Sequence, residues 1–121
     1  MDFLKTITEA TSQLDAGWRN ERGLPSFPII SHGSLLVKVY APRGNDLQTP
    51  HTRDEIYVVA RGRGEFVCGD TRKSFGETDL LFVPAGVTHR FENFSGDLTV
   101  WVVFYGPEGG EQPDSGPHKY S

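Results

Sequence analysis

The stretch TPHTRDEIYVVARG, residues 49–62, and the stretch TDLLFVPAGVTHRFEN, residues 78–93, carry most of the information about the fold. Each contains a histidine where a turn meets an apolar run, His51 in the first stretch and His89 in the second. Glycine and proline bound these short runs of aliphatic and aromatic residues. This arrangement is typical of short β-strands joined by turns rather than of helices.

The same pattern extends outward over most of the chain. Strands are predicted at residues 34–41, 55–60, 64–69, 78–83, 89–94 and 98–105. They recur about every eight to twelve residues with turns between them, and no helical periodicity intervenes. We therefore expect an antiparallel β-sandwich or barrel.

The two ends of the chain differ from this centre. Residues 3–16, FLKTITEATSQLDA, space their apolar side chains loosely at helical intervals, and Gly17 closes the pattern. This predicts one short amphipathic helix; the alternative is a flexible arm that orders only against the barrel or a second subunit. We expect an N-terminal helix and arm (1–28), a barrel (29–106) and a polar tail (107–121) that is mobile or loosely draped.

The composition narrows the class of protein. A chain of 121 residues suits one domain, and a net charge of −4 with only short basic clusters flanked by acids argues against a nucleic-acid partner. No segment approaches the ~18 consecutive apolar residues of a membrane span, and the first residues show no signal-peptide pattern. The single cysteine, Cys68, forbids an intramolecular disulfide. We expect a cytoplasmic protein with neither membrane nor nucleic-acid partners.

His51 and Glu55 are the first candidate site residues. On one regular strand they would lie ~13 Å apart, at ~3.3 Å per residue, too far to share an ion. If residues 52–54 form a hairpin loop, the two side chains face each other across antiparallel strands with Cβ atoms ~5 Å apart. Period-two alternation then places on one face Thr49, His51, Glu55, Tyr57 and Val59. Gln48 points to the opposite face on this interpretation.

Together the two stretches resemble the two sequence motifs of the cupin superfamily, in particular its small single-domain conserved-barrel (cupin 2) members. The first motif reads His-x-His, three or four residues, Glu, six residues, Gly, and His51, Glu55 and Gly62 match it. The second motif reads Pro-x-Gly-x-x-His-x-x-x-Asn and matches residues 84–93. The similarity covers roughly residues 44–93.

Three positions depart from the family pattern. Thr49 stands where the family usually has its first histidine, so that a four-ligand site is reduced to three ligands. Thr78 replaces the glycine that opens the second motif, and Gly44 lies one residue from the usual place of the glycine before the first motif. We expect only the change at Thr49 to affect the chemistry.

The resemblance implies an all-β antiparallel double-stranded β-helix, the jelly-roll or cupin barrel, with a short N-terminal helix. It also implies one divalent metal ion per chain, held inside the barrel by His51, Glu55 and His89. Two imidazoles and one carboxylate suit Fe, Mn, Ni or Zn, so the ligand types leave the metal open. The missing ligand opens a coordination position, where Thr49 is expected to hydrogen-bond a metal-bound water.

Plainer interpretations remain for the same residues. Without a metal, the predicted ligands would be polar groups lining the mouth of a barrel. Tyr57 is either a barrel-wall aromatic, which we favour, or a catalytic acid that moves protons together with Thr49. Lys38 interrupts an apolar strand and either reaches solvent at an edge or lines the cavity. His32 and His118 are expected to be solvated rather than ligands.

Three functional classes follow from the sequence. An enzyme would use the metal on a small organic molecule inside the barrel, by dioxygenase-, isomerase- or lyase-type chemistry. A binding or sensing barrel would hold such a molecule without turnover, and a stability-only barrel would carry a vestigial site. Because apolar strand edges commonly pair with a second copy, we also expect a homodimer.

Overall fold

The computed structural model of the chain describes residues 3–112. It contains one helix, α1 (Ile7–Asp15), and eight strands: β1 (Ser26–His32), β2 (Leu35–Tyr40), β3 (Asp54–Arg61), β4 (Gly64–Cys68), β5 (Thr71–Phe75), β6 (Leu80–Val83), β7 (His89–Glu92) and β8 (Thr99–Tyr105). The predicted all-β class with a short N-terminal helix is confirmed. The tail predicted at 107–121 lies outside the described residues from 113 onward, and His118 lies outside them too.

The strands form two antiparallel sheets, one in the order β1-β2-β8-β3-β6 and one in the order β5-β4-β7. Their inner faces share one core, in which Tyr57 and Val102 from the larger sheet meet Phe66 and Phe91 from the smaller. The Tyr57 and Phe91 rings pack edge to face with centroids 5.0 Å apart. The two sheets thus enclose an aromatic interior.

Strand alternation decides which side chains enter this interior. On β8, Val100, Val102 and Phe104 are buried, whereas the residues between them are partly exposed. On β3 the same alternation carries Glu55 inward together with Tyr57. The Glu55 carboxylate therefore lies among aromatic and aliphatic side chains, because the pairing of β3 turns this residue to the inner face.

The helix begins four residues later than the predicted segment and packs on the outside of the larger sheet. The Thr6 hydroxyl oxygen accepts a hydrogen bond from the Glu9 backbone N–H at 3.1 Å, which caps the first turn. The buried residues Ala10 and Leu14 contact Val39 of β2, so the helix is ordered against the barrel. No helix within residues 3–112 is long and apolar enough to cross a membrane.

Two strands were missing from the sequence prediction. β1 includes Pro28 and carries a register irregularity between Pro28 and Ile30, so its sequence lacks a clean alternation. β5, with the sequence TRKSF, is exposed at every position except Phe75. Both strands lie at the edge of a sheet, where partial burial weakens the hydrophobic signal.

Several positions of the motif region adopt the left-handed backbone conformation, and two of them bear on the sequence predictions. Gly62 has φ +94°, and a Cβ atom there would lie 2.9 Å from Leu98 Cα, so the motif glycine serves both a turn and a close approach. Thr78 has φ +74°, although the family usually places glycine at this position. A β-branched residue is strained in this region, and the substitution therefore affects the backbone more than the sequence suggested.

Candidate metal centre

The three predicted ligands come from three separate parts of the chain. Glu55 is the second residue of β3, His89 is the first residue of β7, and His51 lies in the loop before β3. Since β3 and β7 belong to different sheets, the residues meet inside the barrel. One potential ligand atom from each lies within 4.8 Å of those from the other two. The structure thus brings all three together.

The route by which His51 reaches Glu55 differs from the predicted one. β3 begins at Asp54 and pairs with β6 and β8, so residues 52–54 do not form a loop between two paired strands. The backbone carbonyl of His51 instead accepts a 2.7 Å hydrogen bond from the N–H of Gly86. The expected hairpin was wrong, yet His51 Nε2 lies 3.8 Å from Glu55 Oε2 because the second motif anchors the loop of the first.

The orientation of His89 is set by the backbone. Nδ1 lies 2.9 Å from the carbonyl oxygen of Val87, which can only accept, so Nδ1 carries the proton and Nε2 faces Glu55 Oε1 at 3.2 Å. Burial lowers the pKa of His89, but the adjacent Glu55 carboxylate and the Val87 carbonyl outweigh this effect, so the pKa is raised overall. A histidine whose Nδ1–H is held by a carbonyl has the arrangement usual for a metal ligand that binds through Nε2.

Glu55 gives the structural test of whether a metal fits. Its residue is 1% exposed, and within residues 3–112 neither carboxylate oxygen has a hydrogen-bond partner. Burying a carboxylate without donors is costly, and native proteins usually pair such a group or place it on a metal. A divalent ion held by Glu55 and the two imidazoles would compensate the buried charge, so the residues present fit such an ion.

A hydrogen-bonded chain runs from the ligands to the preceding loop. The Tyr57 hydroxyl lies 3.1 Å from His89 Nε2 and donates to Gln48 Oε1 at 2.8 Å. The Gln48 amide nitrogen in turn donates to Asp46 Oδ2 at 2.8 Å, which directs Oε1 inward to 3.5 Å from His51 Nε2. Asp46 also accepts a 2.5 Å hydrogen bond from the Tyr40 hydroxyl. This chain orients the polar groups around the candidate centre.

Gln48 and Asp46 are the residues that sequence reasoning missed. Period two placed Gln48 on the opposite face, but residues 46–51 are not in a strand, so alternation does not apply there. A usable signal was the position of two hydrogen-bonding side chains in a turn-rich loop directly before His51. Thr49, by contrast, is exposed and accepts a 3.1 Å hydrogen bond from Arg22. It is not among the residues that line the cavity above the ligands.

Tyr57 is fully buried beside the ligands. Burial raises the pKa of its phenol well above the ordinary value, and the nearby Glu55 carboxylate raises it further. Tyr57 therefore holds its proton near neutral pH. The Tyr57 ring also packs in the barrel core. Tyr57 is therefore both an aromatic residue of the barrel wall and a hydroxyl group next to the ligands.

A cavity of about 220 Å³ leads to the surface from His51 and Glu55, which line it, whereas Tyr57 and His89 lie behind them and do not. We call Glu55, Tyr57 and His89 the floor of the site, because each is at most 3% exposed. We call His51, Lys38 and Arg22 the mouth, because all three line this cavity and the His51 side chain is 30% exposed.

The mouth carries positive charge. Burial lowers the pKa of His51; Glu55 opposes this effect, and His89, Lys38 and Arg22 reinforce it. The charges of Lys38 and Arg22 are thus felt at the His51 ring. The ring of His51 also packs against Phe104 with centroids 4.9 Å apart.

Comparison with known sequences and structures agrees with this architecture. The Cupin_2 family model, described as a cupin domain, matches residues 36–105, more than half of the chain. A relative from Streptomyces coelicolor, the uncharacterised protein SCO3923, is 43% identical over 82 residues, which cover 66% of this chain and 78% of the relative. The chain belongs to the cupin family, as the two motifs indicated.

Solved structures show the same fold. The DMSP lyase DddQ from Ruegeria pomeroyi is 27% identical with a TM-score of 0.58, and the similarity covers 67% of this chain and 46% of the lyase. A cupin 2 conserved barrel domain protein from Salinispora arenicola is 19% identical with a TM-score of 0.63, covering 88% and 89%. This chain therefore spans about half of the lyase and most of the conserved barrel domain protein.

Proposed function

We propose that this protein is a metal-dependent enzyme that acts on a small organic molecule inside the barrel, with one divalent ion held by His51, Glu55 and His89. The observation that carries the proposal is the Glu55 carboxylate, buried between two imidazoles with no hydrogen-bond partner for either oxygen in the described residues 3–112. A divalent ion supplies Lewis-acid polarisation of a bound oxygen or, if it is iron, oxygen chemistry.

Lyase- or isomerase-type chemistry is the form that the surrounding residues support best. Such reactions move a proton on an activated substrate, and Tyr57 holds a proton beside the ligands with a raised pKa. Gln48 fixes the direction of the Tyr57 hydroxyl. The likeness to a DMSP lyase supports the same class, although this chain spans only 46% of that protein. The ligand set also suits dioxygenases, and measuring oxygen uptake with an oxygen electrode distinguishes these from lyases and isomerases.

The first experiment is metal analysis of tag-free protein by inductively coupled plasma mass spectrometry, before and after incubation with Fe, Mn, Ni and Zn. We expect about one ion per chain in the wild type and less than a tenth of that in Glu55→Gln and His89→Ala. His32→Ala is the matched control, because His32 is an exposed histidine at the end of β1. A wild type that takes up none of the four metals would contradict the proposal.

Turnover is tested once a metal is established. Oxygen uptake by the iron-loaded protein would indicate a dioxygenase, whereas product release from DMSP or small hydroxy acids without oxygen uptake would indicate a lyase or isomerase. Assayed at saturating metal, Tyr57→Phe is expected to lose at least tenfold in rate, since a positioned proton donor contributes on the order of 10²–10⁴-fold. An unchanged rate in Tyr57→Phe would remove Tyr57 from the reaction.

A binding barrel without turnover is the second candidate. It is favoured by the 3.2 Å separation of His89 Nε2 and Glu55 Oε1, at which a protonated His89 would neutralise the carboxylate with no metal present. Ligand binding that persists in the presence of a strong chelator would support this candidate over the enzyme.

We further propose a cytoplasmic homodimer. β6 is an edge strand, and its Leu80 and Phe82 are 63% and 50% exposed. Two such edges could be covered by a second copy related by a two-fold axis. Light scattering during size-exclusion chromatography should show twice the chain mass for the wild type and a monomer for Phe82→Lys; a monomeric wild type would contradict the proposal.

A further inference from the structure

Lys38 is a cation on the inner face of the barrel. Two residues along β2, Tyr40 is buried in the core, and two residues before it, Leu36 packs against the same core. Alternation along the strand therefore directs Lys38 inward as well. Its ammonium nitrogen lies 5.8 Å from the centroid of the Phe104 ring, and Lys38 lines the cavity above the ligands. Of the two predicted alternatives for Lys38, the structure therefore shows that it lines the cavity rather than reaching solvent at an edge.

Neither cation of the mouth has an acidic partner among the described residues. Within the part of the chain from residue 3 to residue 112, no carboxylate forms an ion pair with Lys38 or Arg22. Arg22 donates instead to the Thr49 hydroxyl at 3.1 Å. A partly buried ammonium without a counter-ion is disfavoured relative to water, and a bound anion would relieve this cost.

The remaining charges of the cavity do not cancel this attraction for an anion. Glu21 also lines the cavity, but it is exposed, so solvent screens its charge. Glu55 lies at the floor, where the imidazoles of His51 and His89 face its carboxylate at 3.8 and 3.2 Å. A ligand that enters therefore meets Lys38 on one side and two of the predicted metal ligands, His51 and Glu55, on the other.

The size of the cavity limits the ligand. Its volume is about 220 Å³, roughly that of seven water molecules in the liquid at about 30 Å³ each. A small acid with a few carbon atoms fits this volume.

We propose that the cavity binds a small organic carboxylate, with its acid group held by Lys38 and its other polar end directed to His51, Glu55 and His89. Arg22 assists from the surface. The second half of this proposal rests on the proposed metal centre; the first half, the carboxylate on Lys38, does not. Lys38 is a specificity-determining residue, because it selects an anion over the neutral molecule of the same shape.

The probes are lactate and 3-hydroxypropionate, each compared with its neutral amide, which has nearly the same shape. Zinc-loaded and metal-free protein are titrated in parallel, and dissociation constants are taken from amide chemical shifts in nuclear magnetic resonance spectra. We expect at least one acid to bind the wild type tenfold more tightly than its amide. Lys38→Met should weaken that acid about tenfold, and Arg22→Gln only about twofold because Arg22 is exposed.

Two further variants complete the design. Lys38→Arg keeps the charge and should restore most of the binding, while Lys73→Met, on the exposed edge strand β5, serves as the matched control. If acids and amides bind alike, if neither acid binds, or if Lys38→Met binds as the wild type does, the proposal is overturned even with the metal site intact. If no metal loads, the proposed function fails, and Lys38-dependent binding of an acid to metal-free protein still supports the carboxylate site.

Discussion

The floor and the mouth of the cavity are built from different parts of the chain. Glu55, Tyr57 and His89 at the floor belong to strands of two sheets and are at most 3% exposed. At the mouth, Arg22 and His51 lie in loops, and only Lys38 belongs to a strand. The floor is therefore part of the folding core as well as of the site, whereas most of the mouth can change with little effect on folding.

Replacing one histidine from each region should separate the contribution to folding stability from the contribution to metal binding most strongly. His89→Ala removes a buried ring bonded to the Val87 carbonyl and should lower the free energy of unfolding of the metal-free protein by about 2–4 kcal/mol. His51→Ala should lower it by less than about 1 kcal/mol, because surface changes usually cost little. Both should lose the metal. Urea unfolding with a chelator measures the difference, and equal losses of stability would refute this division.

A pair of tyrosines tests the hydroxyl groups of the interior. Tyr57→Phe leaves Gln48 Oε1 without its donor and should weaken metal binding about tenfold, the lower end of the usual effect of groups that orient ligands. Tyr40→Phe removes a hydroxyl that donates to Asp46. Each of the two variants should lower the free energy of unfolding by about 1 kcal/mol, but Tyr40→Phe should change the metal affinity less than about threefold. Competition against a chromogenic chelator measures both affinities; the same loss in the two variants would argue against a specific role for Tyr57.

Adjacent residues of the loop sharpen the comparison further. Gln48→Leu removes the amide that orients Tyr57 and should weaken metal binding about fivefold. Thr49→Ala should leave it unchanged within about twofold, because the Thr49 hydroxyl is exposed and bonded to Arg22. Competition against the same chelator measures the metal affinity of both variants. A larger loss in Thr49→Ala would restore the role that its alignment with the missing histidine suggested.

The smallest expected effect concerns stability alone. Thr78→Gly should relieve a β-branched residue at φ +74° and, after the entropy of glycine is subtracted, raise the free energy of unfolding by about 0.5–1 kcal/mol. Metal content should not change, since Thr78 is exposed and is not one of the predicted ligands. Gly62→Ala, which would bring Cβ within 2.9 Å of Leu98 Cα, should be destabilising. A destabilised Thr78→Gly would mean that the threonine side chain makes a compensating contact.

Much of this molecule could be predicted from one sequence, but for unequal reasons. Six of the eight strands were found because they are short apolar runs bounded by turn residues, and the helix was found from its helical spacing. β1 and β5 were missed because they are edge strands, one irregular at Pro28 and the other exposed along most of its length. His51, Glu55 and His89 were found from the spacing of two motifs, and the structure places them together.

The sequence by itself determined the set of candidate ligands, because the two histidines, the carboxylate and the turn residues between them have the spacing of the two motifs. What only the tertiary structure decided was geometry in the segments without periodicity. The loop at 46–53 is held by contacts to distant parts of the chain, such as Gly86 to His51 and Phe91 to Asp46. Alternation assigns a face only where a strand is paired, so it failed for Gln48 and Thr49 and left Lys38 undecided. Pairing of β2 with β1 and β8 then directed Lys38 inward, because a paired strand can turn each side chain to one face only.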